Sequence, residues 1–159
     1  MKNNRLYNVM FPIWFLILMP ATWLITIPAN FIIDSAVLLL AAHYFCRGRE
    51  KEIWKKSIVK VFVFGFLSDF IGSCFLTAGL YISAFLESGT IFEAAAAGAT
   101  TAAGFLTILF AVVLSGICIF FLDKKLAFGK TDMTEAEIKK ISLVMAIATA
   151  PYTFFIPLY

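Results

Sequence analysis

Residues 57–86 read SIVKVFVFGFLSDFIGSCFLTAGLYISAFL and decide the fold. The stretch is long enough to cross a bilayer, because a helix rises about 1.5 Å per residue and the hydrocarbon core is about 30 Å thick. Its middle carries one acid, Asp69, and a line of small residues runs beside that acid: Gly65, Ser68, Gly72, Ser73 and Gly79. We interpret this stretch as the central span of a polytopic membrane protein.

The composition of the whole chain agrees with this interpretation. Of its 159 residues, 62% are hydrophobic and 14% are charged. In an average soluble domain about 45–50% of residues are apolar and about 25% are charged. A soluble core of this size cannot hold the excess, since a small domain buries only about 70% of its chain surface. The expected partner is therefore the lipid bilayer. The net charge of +3 does not indicate nucleic acid, because the 13 cations divide among three short stretches beside apolar runs.

The cysteines and the missing motifs exclude several classes of protein. Cys46, Cys74 and Cys118 are far apart and show neither CxxC nor zinc-site spacing, so we expect no disulfide framework and no metal site. The sequence contains no nucleotide-binding glycine loop and no HExxH or GxSxG motif. We therefore expect no cofactor and no enzymatic activity.

The apolar runs predict an all-α, polytopic transmembrane helical bundle that forms a single integral membrane domain over residues 1–159. We expect about five spans, at 9–27, 30–46, 57–86, 95–122 and 141–158. The first apolar run continues to Cys46 and is too long for one span, so we place a tight turn at Pro28-Ala29-Asn30, because proline removes a backbone donor. The alternatives are one kinked helix or a signal peptide cut after Ala29, and the length of the run argues against the signal peptide.

Charge gives the predicted topology. The basic connector 47–56 and the connector 123–140 are expected in the cytoplasm with the N-terminus, because cytoplasmic loops carry an excess of Lys and Arg. Loop 87–94 contains no cation and is expected outside. An even number of spans must separate the N-terminus from the first connector, which favours two spans over one kinked helix. The predicted topology has the N-terminus inside and the C-terminus outside.

Local signals refine the predicted helices. Glu52 and Lys56 are spaced for an ion pair on one helical face, and Thr134 and Glu137 have the spacing of a capping box. Pro151 is expected to kink the last span, with freed carbonyls satisfied by neighbouring threonines. Small residues let helix backbones approach closely, so we assign helix packing to three glycines: Gly65, Gly72 and Gly98.

Asp69 is the first candidate for an ion-binding residue. It lies about 14 Å along the helix from Lys60, near mid-membrane, where an acid costs a few kcal/mol and should face protein or water. Gly65, Asp69 and Gly72 share one helical face, which points the acid into the tightest helix contact. Asp69 could bind a cation or exchange a proton, or it could be a protonated acid that hydrogen-bonds a neighbouring helix. The sequence leaves both roles open.

Asp34 and His43 are further candidates for substrate or ion binding. Asp34 is predicted about one turn inside the external end of the second span, either at the mouth of a polar path or helping the helix to start behind Asn30. The sequence favours the helix start. His43, the only histidine, lies near the cytoplasmic end of that span and could relay protons, although an interfacial role is commoner.

Two functions compete. In the first, the chain is a unit of a proton- or cation-handling transporter or channel that acts through Asp69, and its small size requires a homo-oligomer. In the second, it is a non-catalytic subunit or docking partner of a larger membrane complex. A membrane enzyme is least supported, because Glu50, Glu52 and Asp123 show no clustered spacing. We prefer transport because a mid-membrane acid is costly to keep for packing alone. The short connectors suggest a multi-pass protein of a bacterial plasma (inner) membrane.

Overall fold

The structure, a computed structural model, describes residues 13–85, 91–129 and 131–156. Within these ranges it contains α-helices and short helical turns but no β-strand. The α-helices are α1 (Ile13–Leu16), α2 (Trp23–Phe45), α3 (Glu50–Phe85), α4 (Ile91–Ala96), α5 (Ala102–Leu122) and α6 (Glu135–Ala148). Helices α2, α3, α5 and α6 form a ring in which each packs against two of the others. The predicted all-α bundle is therefore confirmed.

Among the described residues, three helical segments are long and apolar enough to cross a membrane. They are Pro20–Phe45, Glu50–Phe85 and Ala102–Ala127. Helix α6, with 14 residues, is about 21 Å long and shorter than the hydrocarbon core. The first and last predicted spans, 9–27 and 141–158, extend at residues 9–12 and 157–158 beyond the part of the chain that the structure describes.

The predicted turn at residues 28–30 is wrong. Helix α2 continues through Pro28, and the chain turns earlier, at Met19 and the 3-10 turn Pro20–Thr22. The Trp23 indole N–H donates to the Ile17 carbonyl over 2.8 Å and secures this earlier turn. A proline costs a helix one backbone hydrogen bond, and that loss near the start of a membrane helix is tolerated.

The first basic connector is much shorter than predicted. Cys46 ends α2, Gly48 adopts a left-handed φ of 85°, and α3 begins at Glu50. Most of the predicted basic connector and the central span are thus one helix of 36 residues, which is about 54 Å long. The predicted pair of Glu52 with Lys56 forms on its first turns at 2.7 Å.

The segment predicted as the start of the fourth span folds back instead. Helix α4 ends before Gly98, whose φ of 78° is left-handed, and α5 begins at Ala102 behind Thr101. The Thr101 hydroxyl accepts the Gly104 N–H at 3.0 Å and caps α5. A Cβ on Gly104 would lie 2.5 Å from the Ala94 carbonyl oxygen, so α4 crosses α5 at backbone contact.

The last span is broken rather than kinked. Helix α6 starts with the predicted capping box, in which Thr134 and Glu137 exchange hydrogen bonds. It ends at Ala148, and a 3-10 turn follows Pro151 at Tyr152–Phe155. Proline stops the helix because it has no backbone N–H to donate and its ring clashes with the carbonyl four residues earlier.

The two basic connectors meet at one end of the bundle. Arg49 donates to the Asp132 carbonyl and to Glu137 Oε1, each at 2.7 Å, and Lys60 donates to the Leu126 carbonyl at 3.1 Å. Every Lys and Arg of the described ranges lies in residues 47–60 or 124–140. We call this the basic end.

Two apolar clusters fill the bundle. One, at the basic end, includes Leu38, Val61, Ile119, Phe128 and Met145. The other, at the opposite end, includes Trp14, Leu76, Ile108, Ala111 and Phe154. Between these clusters the polar residues of the candidate site are found.

Candidate functional site

A cavity of about 210 Å³ lies between α2, α3 and the broken end of α6. We call it the acidic cavity, because the carboxyl groups of Asp34 and Asp69 both line it. The remaining lining residues are Asn30, Ile33, Gly65 and residues 148–153. Its volume leaves room for several water molecules. The structure thus brings together two of the residues that the sequence singled out.

Asp34 lies deeper than expected. Because α2 begins at Trp23 rather than at residue 30, Asp34 occupies the centre of the helix and not its first turn. The residue is 5% exposed, and its carboxyl group rests on Gly65 of α3, where a Cβ would lie 3.3 Å from Oδ2. The preferred interpretation of Asp34 as an interfacial residue at a helix start is therefore wrong.

Asp69 lies one helical turn beyond Gly65 on the same face of α3. The residue is 8% exposed, and its Oδ1 has no hydrogen-bond partner among the described residues. The carboxyl groups of Asp34 and Asp69 are close enough to interact electrostatically. Two carboxylates in one low-dielectric site repel each other, so this pair favours an added proton or cation.

The break after α6 supplies the third wall of the cavity. Pro151 has no N–H to donate to Ile147, the acceptor four residues earlier, and the Tyr152 hydroxyl donates to that carbonyl instead at 2.5 Å. The Thr149 hydroxyl donates to the Met145 carbonyl at 2.8 Å, which already accepts the Thr149 N–H. Thr149 therefore does not satisfy the carbonyl freed by the proline, and the prediction for that threonine is wrong. The C-terminal end of α6, which carries a partial negative charge, therefore borders the acidic cavity.

Six of the eleven residues that line the cavity carry a side-chain oxygen, although most of the lining surface is apolar. Asn30, Thr149, Tyr152 and Thr153 add a carboxamide and three hydroxyl-bearing side chains to the two carboxyls. Oxygen ligands of this kind suit a proton, a hydrated proton or a hard cation. Sequence reasoning missed Asn30 and Tyr152, and the signal that could have found Tyr152 is its position directly after Pro151.

His43 lies away from the acidic cavity. Its side chain is exposed on the last turn of α2, and its Nδ1 lies 3.0 Å from Glu50 Oε1. The structure therefore does not bring His43 together with Asp34 and Asp69. Among residues 13–85, 91–129 and 131–156, no group of three or more His, Cys, Asp or Glu is arranged to hold a metal ion.

The three glycines assigned to packing differ in their surroundings. Gly65 accommodates Asp34. A Cβ on Gly72 would overlap the Ser115 hydroxyl, which itself donates to the Ser68 carbonyl at 3.0 Å, so α3 and α5 touch at this level. Gly98 instead ends α4, as its left-handed φ shows. The close crossing of α4 and α5 occurs at Gly104, which the sequence analysis did not single out.

Comparison with known proteins adds no assignment. The chain matches no protein family, no curated protein and no solved structure. The functional argument therefore rests on the acidic cavity and on the break in α6.

Proposed function

We propose that this chain is a unit of a membrane transporter or channel that handles protons or small cations through Asp34 and Asp69. The observation that carries the proposal is that both carboxyl groups line one cavity and that a broken helix closes it. In membrane transporters, interrupted helices commonly bring half-helix ends and unwound carbonyls to the ion site near mid-membrane. The C-terminal end of α6 and the unwound residues after it border the acidic cavity, which supports the proposal, and among the described residues beyond Pro151 only a 3-10 turn follows.

The cost of the two acids supports a role beyond packing. An acid at the bilayer centre costs a few kcal/mol on insertion scales, and such residues commonly mark ion or proton pathways. An acid kept for structure would satisfy both of its oxygens with neighbours, since buried polar groups are normally hydrogen-bonded. Asp69 Oδ1 finds no such neighbour in the described part of the chain, although it borders the cavity.

The proposed topology follows from the basic end. We propose five spans with the basic end in the cytoplasm, the N-terminus inside and the C-terminus outside, in a bacterial plasma (inner) membrane. Lys and Arg are enriched in cytoplasmic loops, and the described cations gather at one end of the bundle.

We further propose a homo-oligomer. Because the acidic cavity lies within one chain, a second copy would extend the path and would not be needed to build the site.

The test is a flux measurement on the full chain in proteoliposomes. A pH-sensitive dye inside the vesicles reports protons, and Na⁺ or K⁺ gradients are imposed in separate runs. We expect flux from the wild type and its loss in Asp69→Asn and in Asp34→Asn, because the amide keeps the shape but cannot exchange a proton. Asp132→Asn is the control, since that side chain is 84% exposed at the basic end. Equal flux from Asp69→Asn and the wild type would refute the proposal.

A non-catalytic subunit of a larger membrane complex is the alternative function. The observation that favours it is an apolar groove of about 420 Å³ between α5 and α6. Val113, Gly116 and Ile117 line it from α5, and Leu143 and Ile147 line it from α6. Native mass spectrometry of gently extracted protein separates the two functions. Foreign subunits at fixed stoichiometry would favour the alternative, and a homo-oligomer with flux would favour transport.

A further inference from the structure

A third buried acid lies outside the acidic cavity. Asp123 follows α5 and opens the π-helical turn Asp123–Ala127. The residue is fully buried, and neither of its carboxyl oxygens has a hydrogen-bond partner among the described residues. Its neighbours Lys124 and Lys125 are exposed. A wider π-helical turn often occurs at functional sites, and here it accompanies an acid that is turned inward while the adjacent lysines face outward.

The surroundings of Asp123 are apolar apart from a few groups. The turn packs against α3, α5 and α6. From α3, Lys60 reaches the turn and donates to the Leu126 carbonyl. From α6, Ser142 is buried and its hydroxyl has no partner in the described ranges. Asp34 on α2 is close enough to Asp123 to interact electrostatically.

The three acids lie at successive depths. Gly65 faces Asp34, and Asp69 is one turn farther from the basic end along α3, about 6 Å. Ser115 on α5 contacts Ser68 on α3. Asp123 comes eight residues after Ser115. Asp123 therefore lies about 12 Å nearer the basic end than this contact. Asp69, Asp34 and Asp123 therefore form a series that leads from the cavity toward the basic end.

We propose that Asp123 is a proton-exchanging carboxyl that connects the acidic cavity with the basic end. The ligand is a proton and not a metal cation, because Asp123 lines neither the cavity nor the apolar groove, and hard cations need several oxygen ligands. In each step an O–H bond of one carboxyl breaks and an O–H bond forms on the next carboxylate, and water carries the proton between them because Asp123 shares no hydrogen bond with another described carboxyl. The last proton passes from Asp123 to water at the basic end. One negative charge moves in the opposite direction, and no other reactant is consumed. This inference rests on the proposed function.

Infrared spectroscopy of the full chain in lipid nanodiscs tests the carboxyl group directly. The wild type should show a protonated-carboxyl C=O band that shifts in D₂O and disappears at alkaline pH. Because Asp34 and Asp69 can also carry a proton, Asp123→Asn should lose only the Asp123 component of that band, whereas Asp132→Asn, at an exposed position, should leave the band unchanged. If Asp123→Asn does not fold, Asp123→Glu keeps the carboxyl and should move the same band. An identical carboxyl region in wild type and Asp123 variants, or a band that ignores D₂O and pH, overturns the proposal.

Proton flux gives the second test. Asp123→Asn should lower flux about tenfold or more, because chains of acids relay protons in membrane transporters, and Asp123→Glu should restore part of it. Flux equal to that of the wild type in Asp123→Asn would overturn the relay. A wild type without flux would refute the proposed function instead, and the infrared bands would still decide whether Asp123 exchanges protons.

Discussion

The carboxyl group of Asp34 on α2 lies directly against the backbone of Gly65 on α3. A Cβ at position 65 would stand 3.3 Å from Asp34 Oδ2, which is tighter than an ordinary contact. The absence of a side chain at Gly65 therefore lets a buried acid sit between two helices. This contact fixes where the first carboxyl of the acidic cavity points.

Enlarging Gly65 should displace Asp34. We expect Gly65→Ala to reduce flux with little change in thermal stability, and Gly65→Leu to abolish flux and to cost about 1–3 kcal/mol of stability, since overpacking forces neighbours apart. Gly129→Ala is the matched control, because its Cβ would have ordinary contact at 3.7 Å from the Lys125 carbonyl. Flux and thermal unfolding in detergent measure both effects. Full flux from Gly65→Leu would show that the contact has no role in transport.

Pro28 and Pro151 should respond in opposite ways to replacement by alanine. Pro28 lies inside a continuous α2, so Pro28→Ala should restore a backbone hydrogen bond and raise the unfolding temperature, since proline is up to about 3 kcal/mol worse than alanine inside a helix. Pro151→Ala should let α6 continue past Ala148 and narrow the acidic cavity, with loss of flux. Flux assays and thermal melts of both variants check this contrast. A gain in stability at Pro28 together with unchanged flux at Pro151 would contradict the role of the break.

The hydroxyl of Tyr152 should matter more than that of another exposed tyrosine. Tyr152→Phe removes the donor to the Ile147 carbonyl, and we expect a loss of about 0.5–1.5 kcal/mol, the usual net value of one hydrogen bond. Tyr44→Phe is the comparison, because Tyr44 is 76% exposed on α2. Thermal unfolding of the two variants provides the measurement, and equal stabilities would argue against the hydroxyl as the partner of the freed carbonyl.

The junction of α3 with α6 should weaken only in acid. The backbone N–H of Thr134 and, with smaller effects, its hydroxyl and Arg49 lower the pKa of Glu137 from 4.5 to about 2. A group whose pKa is lower in the folded protein stabilises it above the unfolded pKa, and that contribution fades as pH falls through the folded pKa. We therefore expect stability from Glu137 to be complete above pH 4.5 and to fall between pH 4.5 and about pH 2.

Thermal melts over this pH range test the junction. Glu137→Gln should remove the acid-dependent part of the melting curve, and the effect should be modest because the pair is partly exposed and screened by solvent. Glu135→Gln, on the same first turn of α6, is the control. The same dependence of the melting temperature on pH in Glu137→Gln and in the wild type would count against this role of Glu137.

The proposed topology predicts which positions are labelled from each side of the membrane. In a variant whose three native cysteines are replaced by alanine, Lys139→Cys should react with an impermeant thiol reagent only after the membrane is opened. Glu93→Cys, on α4 at the opposite end, should react in intact cells. Both side chains are exposed in the fold. Labelling of position 139 in intact cells would reverse the proposed orientation.

Local sequence signals predicted much of the fold. Hydrophobic length gave the long helices, and the spacings of Glu52 with Lys56 and of Thr134 with Glu137 gave the ion pair and the capping box. These signals act between residues three or four apart, so the sequence displays them directly. Pro151 was expected to disturb its helix for an equally local reason.

The predictions that were wrong concern features that depend on tertiary contacts. The predicted turn lies at Pro28-Ala29-Asn30, whereas the chain turns at Pro20–Thr22, and this choice depends on packing. That shift of the turn moved Asp34 from the interface to the centre of α2. The approach of the α6 break to Asp34 and Asp69, and the burial of Asp123, involve residues far apart in the chain. No periodicity encodes such contacts.

The continuity of α3 has a mechanical consequence. Arg49 immediately precedes it at the basic end, and Asp69 is borne on the same uninterrupted rod about 30 Å away. Because a helix without a proline or a bulge bends only gently, a tilt of α3 at the basic end also displaces Asp69. A change at the basic end can therefore move the carboxyl group of Asp69 without touching it.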